Sequence, residues 1–423
     1  MPNFSTPLSG LDASQQALSV VANNLSNMNT IGYKDESVNF QDLFYQSLGT
    51  NGAGDSIQVG GGTAVSAISS NFTSGTISST GVPTDVAING NGFFVTQLNG
   101  QTEYSRAGNL QVSTDGYLET QGGQYVMGYA AAGGVVSNGA LSKLQVGTGE
   151  VIPAVTTTSL QMNTNLSSTA AVGSSFTSPP VAVYDSLGTS HDLTITYTKT
   201  GTNTWGYTAT IPDADVAGGT SSGAPVSVGS GTLTFDTSGN LTTANGSAIS
   251  SATPGISGIS LSGLADGAAP MALNWTALDS NGNSLITQTS SDSETSASSQ
   301  NGLASGTLNS FAVGTDGTIE GAFSNGQTVA IGRIALAQFG NEGGLSLVGG
   351  NSYRTTATSG QAVVGSPGTG GLGTMTGGSL EQSNVDMATE FSNMVVDQRG
   401  FEANAKVISA FDQVMQDTIN IEH

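Results

Sequence analysis

The sequence predicts a mainly β protein framed by two long terminal helices that form a coiled-coil-like inner domain, with discontinuous β-rich outer domains nested between them. Three observations predict it. Sustained helical period occurs only at the two ends of the chain. Between them, strand-length apolar alternation is punctuated by Asn-Gly and Asp-Gly pairs, the strongest short signal for hairpins. Charged residues make up only 9% of the chain, against about 25% in an ordinary soluble domain. Gly, Ser and Thr fill that gap, as a turn-dense, hydroxyl-rich β surface requires.

The N-terminal helix has Thr6 as its expected N-cap and Pro7 at its first position, where a missing N–H costs nothing. Apolar residues then fall at Leu11, Leu18, Val21, Leu25 and Met28, with Ser14 completing a 3,4 seam. Asn29 and Gly32 stop it. Neither this helix nor its C-terminal counterpart can bury its stripe alone, so the two ends are expected together.

The central region reads as short hairpins. Leu110, Val112, Asp115-Gly116 and Leu118 match Phe311, Val313, Asp316-Gly317 and Ile319, with a looser copy at Leu233, Phe235, Gly239 and Leu241. Irregular spacing makes this shared hairpin geometry and not a solenoid. Low-complexity stretches at 50–62, 218–231, 290–305 and 366–378 mark expected joints. Nested domains follow: a helical polymerisation domain of 1–33 with 379–423, and a connecting region of 34–78 with 359–378. Inside these come an inner β domain of 79–148 with 307–358 and an outermost β insert of 149–306.

The C-terminal helix is expected from about Asn384 to Asn420, roughly 55 Å at 1.5 Å per residue. Ser383 and Asp386 resemble a capping pair. Its stripe runs through Met387, Phe391, Met394, Phe401, Ala405, Ile408, Met415 and Ile419, with Gln398 and Asp412 interrupting it. A periodic helix longer than about 25 residues favours assembly over simple core cover. The expected intermolecular faces are therefore Leu11, Leu18, Val21, Leu25 and Met28 on one helix, and Phe391, Met394, Phe401, Ile408 and Met415 on the other.

Composition excludes several functions. Acidic residues outnumber basic ones 30 to 8, for a formal charge of −22. No Lys/Arg stripe exists to displace nucleic-acid counterions, and an anionic membrane surface would repel the chain. No apolar run reaches membrane-spanning length. With no cysteine, disulfides and thiolate chemistry are out. Met1 to Val21 lacks the basic and apolar regions of a cleavable secretory signal.

Catalytic signatures occur only by accident. Gly219-Thr220-Ser221-Ser222-Gly223 fits a nucleophile elbow but sits in a Gly/Ser tract, with His191 and His423 the only histidines. Gly368, Gly370 and Gly373 spell a dinucleotide fingerprint inside a Gly/Thr joint. Asp279, Asn281 and Asn283 begin a calcium loop that fails at Ser284 and Ser290, leaving a strand-connecting turn. His191 lacks a second histidine and is expected on a strand surface. No catalytic, metal or cofactor residue is expected.

Several segments carry a resemblance. Asn23-Asn24-Leu25-Ser26-Asn27 with Asn29, Gly32, Tyr33 and Lys34 resembles the N-terminal signature of flagellar rod, hook and hook-associated axial proteins. Ser379-Leu380-Glu381, Asn384, Asp386, Gln398 and Arg399 resemble its C-terminal partner. Asp85 to Phe94 and Tyr104 to Asn109 are similar to the family's shared β motif. Val183-Tyr184-Asp185-Ser186-Leu187-Gly188 with Ser190-His191 resembles the central insert of the hook branch. The resemblance implies a non-enzymatic extracellular subunit of a flexible, curved, torque-transmitting tube. It also implies export through the flagellar type III apparatus without a cleaved signal. Partners would be further copies of itself and the rod, hook-cap and hook-filament junction proteins, with no nucleic acid, membrane insertion or cofactor. A distal-rod subunit is the alternative within the family, and a secreted β-rich adhesin or carbohydrate-binding module the alternative outside it.

Overall fold

The computed structural model describes residues 4–50, 56–147, 149–218 and 223–421, so the Ser221 pattern lies outside the described residues. The chain is mainly β with a long helix at each end, as its periodicity predicts. It divides into two compact units. One comprises Met1–Gly149, Asn309–Ala322 and Thr328–His423; the other comprises Glu150–Leu308 and Phe323–Gln327.

In the first unit, α1 (Ser5–Ser26) and α2 (Met387–Ile421) accompany a β core. The cap expected at Thr6 is displaced: α1 begins at Ser5, and Thr6 lies in its first turn with Ser9 Oγ donating to its carbonyl. Pro7 is tolerated there because first-turn N–H groups have no intrahelical partner. α1 also stops earlier than expected, leaving Met28 beyond it, because Asn27 Nδ2 turns back to the Asn23 carbonyl. α2 starts at Met387, where Asp386 Oδ1 accepts the Thr389 N–H at 2.7 Å.

The core of this unit is an antiparallel sheet. Its strands run, in spatial order, Thr328–Ile334, Tyr125–Ala132, Phe93–Leu98, Gln101–Ser105 and Ser352–Arg354. Alternation along each strand sends side chains to opposite faces, and both faces are covered. Phe94, Val126, Ile334 and Leu118 fill one layer, while Phe93, Val95, Met127 and Phe339 fill the other. The shared hairpins are real. Ser113, Gly314 and Asp236 each donate to the carbonyl four residues on and accept from the N–H three residues on. The φ angles at Gly116, Gly317 and Gly239 (81°, 77° and 85°) explain the required glycines. Gly368–Gly373 closes a turn through the Gly368 N–H to the Gly373 carbonyl at 2.9 Å.

The second unit is a pair of sheets around one core. Ser190–Gly201, Thr204–Ile211, Val226–Phe235 and Leu241–Ala244 form a meander. The other sheet centres on Ser159–Ser167, flanked by Met271–Thr276 and Ile286–Thr289 in parallel, with Glu294–Gln300 antiparallel to it. Inward residues alternate strictly along Thr204–Ile211, and Trp205, Tyr207, Tyr197 and Trp275 meet in the core. Two further expectations are corrected here. His191 is buried, not on the surface, because it shares the inward side of its strand with Leu193, Ile195 and Tyr197. The low-complexity stretch 290–305 contains the strand Glu294–Gln300, whose mostly exposed Ser and Thr residues suit a solvated strand face. Asp279 caps a tight turn, as expected, by accepting the Asn281 and Asn283 N–H groups.

Candidate assembly surface and the joint beneath it

α1 and α2 pack antiparallel. Phe4 meets Phe411 edge-on at 5.7 Å, and Asn24 Nδ2 donates to Glu390 Oε2 at 3.2 Å. Glycines allow the close approach between those ends. A Cβ on Gly10 would lie 2.8 Å from Asn404 Nδ2, and one on Gly400 would lie 3.3 Å from Ser14 Oγ. Besides Pro7, the buried apolar residues of α1 are small or β-branched: Ala13, Ala17, Val20 and Val21. Beside α1 stands an arm of strands Glu36–Asp42 and Thr63–Ser70, to which Ser9 Oγ is tied by the Thr63 N–H.

The expected seam residues divide. Val21 is buried, while Leu11, Leu18 and Leu25 are partly buried on α1 and Met28 is partly buried beyond its end. Met394, Phe401, Ile408 and Met415 are partly buried and share the α2 face that carries Asn404 and Phe411 toward α1. Phe391 lies off that face and is 48% exposed. At 100° per residue, a second apolar line runs through Val396, Ala403, Val407, Ala410 and Val414, about 120–140° around the helix. All five are exposed, and sequence reasoning missed them. Their 7,4,3,4 spacing was the available signal, masked by the bulkier stripe beside it. Phe40, Phe44 and Ile68 on and beside the arm are exposed as well, Phe44 by 98%. A groove of about 320 Å³ lies between α1, α2 and the arm, lined in part by Ala17, Val20, Val38, Phe40 and Val396.

The signature residues converge below the helices. After α1 the chain turns at Gly32, whose φ of 68° and contact with the Arg106 backbone exclude a side chain. That turn delivers Lys34 into a fully buried cluster. Lys34 Nζ lies 2.7 Å from Glu381 Oε1 and donates to the Thr73 carbonyl at 2.8 Å. Glu381 Oε1 also accepts the Gly75 N–H, and its Oε2 lies 3.5 Å from Arg106 Nη1. Arg106 in turn donates to the Gly90 carbonyl and stacks over Phe93 at 5.2 Å. Burial lowers the Lys34 pKa, with Glu381 opposing the shift, and burial lowers that of Arg106 likewise.

Asn24 organises the next layer. Its Oδ1 accepts the Tyr33 hydroxyl and the Glu36 N–H at 3.0 Å each, and its Nδ2 donates to the Glu36 carbonyl. Asn23 Nδ2 reaches the same hydroxyl at 3.1 Å. Asn384 accepts the Asp35 N–H and donates to the Asn71 carbonyl, joining the two terminal segments. Asn29, Gln398 and Arg399 do not join this network. All three are exposed, and Arg399 pairs with Glu402 at the surface.

One grouping among the described residues has metal-ligand types within reach: Asp185, His191 and Asp266 in the second unit. Both ring nitrogens of His191 already face carboxylates, Asp185 at 3.0 Å and Asp215 at 3.1 Å. That is the arrangement of an imidazolium and not of a metal ligand.

Known families match both the helical ends and the β regions. A family profile described as flagellar basal body protein FlaE D2 domain matches residues 156–303, and one for the flagellar hook protein FlgE/F/G D1 domain matches 87–165. A flagella basal body rod protein profile matches 4–34, and a flagellar basal body rod FlgEFG protein C-terminal profile matches 376–421. The flagellar hook protein FlgE of Escherichia coli strain K12 is 33% identical across 99% of both chains. That of Salmonella typhimurium is 34% identical across 99% of this chain and 100% of its own. The crystal structure of Helicobacter pylori flagellar hook protein FlgE2 covers 70% of this chain and 98% of its own, at 16% identity and a TM-score of 0.46.

Proposed function

The chain belongs to the flagellar hook protein family, and on that premise we propose that this hook structural subunit polymerises through the outer face of its helix pair. The family is a structural one. The rod-subunit and adhesin alternatives are not favoured, since relatives matched over nearly the whole chain carry the hook name.

One observation carries the reading. α2 keeps an exposed apolar line, Val396 and then Ala403, Val407, Ala410 and Val414, although another of its faces is already engaged by α1. A helix of a finished monomer shows one apolar stripe; a second stripe asks for a second partner. An open helical tube needs two different surfaces that fit head to tail. The exposed apolar residues Phe44 and Ile68 supply a surface of another kind on the same unit. The seam residues Leu11, Leu18, Leu25 and Met415 would then lose their remaining exposure between copies.

In this reading 1–33 with 379–423 is the polymerisation domain, and the intervening β regions are the bearing surfaces. Their hydroxyl-rich, weakly charged strands offer many near-equal contacts, which suits a tube that bends while it turns. Subunits would leave through the flagellar type III export apparatus and join rod, cap and junction proteins as well as one another. The test is electron microscopy of the full chain under polymerising conditions beside Val407→Asp/Val414→Asp. Tubes from the parent, with a variant that is folded but monodisperse, support the proposal. Normal tubes from the variant would remove α2's outer line from the interface.

A further inference from the structure

His191 sits at one end of the inward face of strand Ser190–Gly201, followed by Leu193, Ile195 and Tyr197 in the core. Its ring is buried between segments far apart in sequence. Asp185, also fully buried, comes from the turn after strand Val181–Tyr184. Asp215 comes from the short helical turn Asp213–Asp215, and Asp266 from the loop after strand Gly255–Leu261.

Proton positions follow from acceptor counting. Asp185 Oδ1 accepts the Leu187 and Thr189 N–H groups at 2.8 and 3.0 Å, as an ionised carboxylate does. Its Oδ2, 3.0 Å from His191 Nε2, therefore needs a donor, and Nε2 supplies it. Nδ1 lies 3.1 Å from Asp215 Oδ2, out of line for a good hydrogen bond. A bare lone pair at that distance from a carboxylate would be repelled, so Nδ1 carries a proton as well. The remaining acidic neighbours are Asp266, Asp213 on the same turn as Asp215, and Asp192 on the outer side of the strand. The unit's one lysine, Lys199, is engaged elsewhere, on the Ser168 carbonyl.

We propose that His191 is a proton-operated pin: as an imidazolium it ties the Asp185 turn to the Asp215 turn and the Asp266 loop, and losing its proton frees them. Charge-assisted hydrogen bonds are about twice as strong as neutral ones, so one proton decides whether these turns are clamped. Burial works against protonation, but the hydrogen bond to Asp185 and the nearby charge of Asp215 outweigh it, and the pKa ends above the ordinary histidine value. The pin's stabilisation is therefore complete below the unfolded-state value near 6.5 and fades as pH rises through the higher folded value.

The experiment uses the full-length chain labelled with 15N, titrated from about pH 5 to about pH 9, across the range in which histidine changes charge. His423 is the only other histidine and serves as an internal reference. Both His191 ring nitrogens should keep protonated shifts after His423 has titrated. Amide protection at Leu187 and Thr189 should then fall up to tenfold per pH unit. His191→Gln should abolish that pH dependence, and Asp215→Asn, at a partly exposed position, should move the His191 titration to lower pH. A singly protonated ring at neutral pH would overturn the proposal, as would wild-type pH dependence in His191→Gln. Loss of the Nε2 proton on adding zinc chloride, with gain in stability, would overturn it in favour of a metal ligand.

Discussion

Replacing Glu381 by Gln tests whether the buried joint holds the terminal segments to the β core. The carboxylate is fully buried and serves two buried cations, Lys34 at 2.7 Å and Arg106 at 3.5 Å. The amide would keep the shape and could still accept the Gly75 N–H. It would, however, remove the one carboxylate among the described residues that is paired with both cations. Lys34 then has two costly choices. It stays charged and unpaired, which costs about 3–5 kcal/mol for a broken buried pair. Alternatively it sheds its proton at neutral pH, which from the ordinary lysine value of about 10.4 costs roughly 4.6 kcal/mol at about 1.36 kcal/mol per unit. The two routes agree on about 3–5 kcal/mol.

The assay exploits composition. Both tryptophans, Trp205 and Trp275, lie in the second unit, so tryptophan fluorescence in urea reports that unit alone. Pulsed hydrogen exchange at Phe93–Leu98 reports the first. With m near 3 kcal/mol/M, the exchange midpoint should drop by about 1–1.7 M while the fluorescence midpoint stays. Lys34→Met/Glu381→Gln should lose less than Glu381→Gln alone, because it no longer strands the lysine. An exchange midpoint unmoved by Glu381→Gln, or a double variant weaker than the single, would refute this account of the joint.

Other perturbations have equally definite outcomes. Gly32→Ala forces a Cβ into a left-handed position 2.7 Å from the Arg106 carbonyl carbon. The conformation alone costs about 1–2 kcal/mol, and calorimetry of the first unit should show at least that loss. Gly10→Val places methyl groups where Asn404 sits; overpacking should cost about 1–3 kcal/mol, read as faster exchange in α1 with the β core unchanged. The Thr389 backbone N–H, with its side chain, lowers the Asp386 pKa. That cap's stabilisation is therefore present above about pH 3.9 and lost as pH falls through the lower folded value. Amide exchange at the start of α2 should accelerate there, and Asp386→Ala should show the fast exchange at every pH.

Legibility in the sequence depended on the range of the interaction. Helices with a 3,4 seam and turns at Asp115-Gly116 and Asp316-Gly317 are local, and both appear, α1 differing from expectation only at its ends. The bonding partner of a face is not local. The Met394–Phe401–Ile408–Met415 stripe announces an apolar side of α2, but nothing in its period says that α1 covers it while Val396–Val414 stays open. Lys34 and Glu381 stand 347 positions apart, so their pairing left only an indirect trace: with eight Lys and Arg in the chain, each basic residue beside a turn is conspicuous. His191 is readable, and the expectation of a surface position misplaced it. Its alternation with Leu193, Ile195 and Tyr197 marks an inward face, and the charged neighbour Asp192 points outward for the same reason.

The helix pair itself sets the last prediction. Among the described α2 residues only Glu390 is buried, and Met394, Phe401, Ile408 and Met415 are partly so. A large apolar side chain contributes about 1.5–3 kcal/mol when fully buried, and these four receive only part of that. Fixing the backbone costs about 1–2 kcal/mol for each of the 35 residues of α2, and an isolated helix gains little beyond its own hydrogen bonds. The first turns are anchored by Asp386, Glu390 and the joint, whereas beyond Ala405 the pairing is with α1 alone. In dilute monomer, amides from Ala405 to Met415 should therefore exchange orders of magnitude faster than those of Phe93–Leu98. In polymer they should be protected to a comparable degree, because neighbouring copies complete the burial. Equal protection of the two segments in the monomer would mean that α1 alone suffices, and folding of the ends would then be independent of assembly.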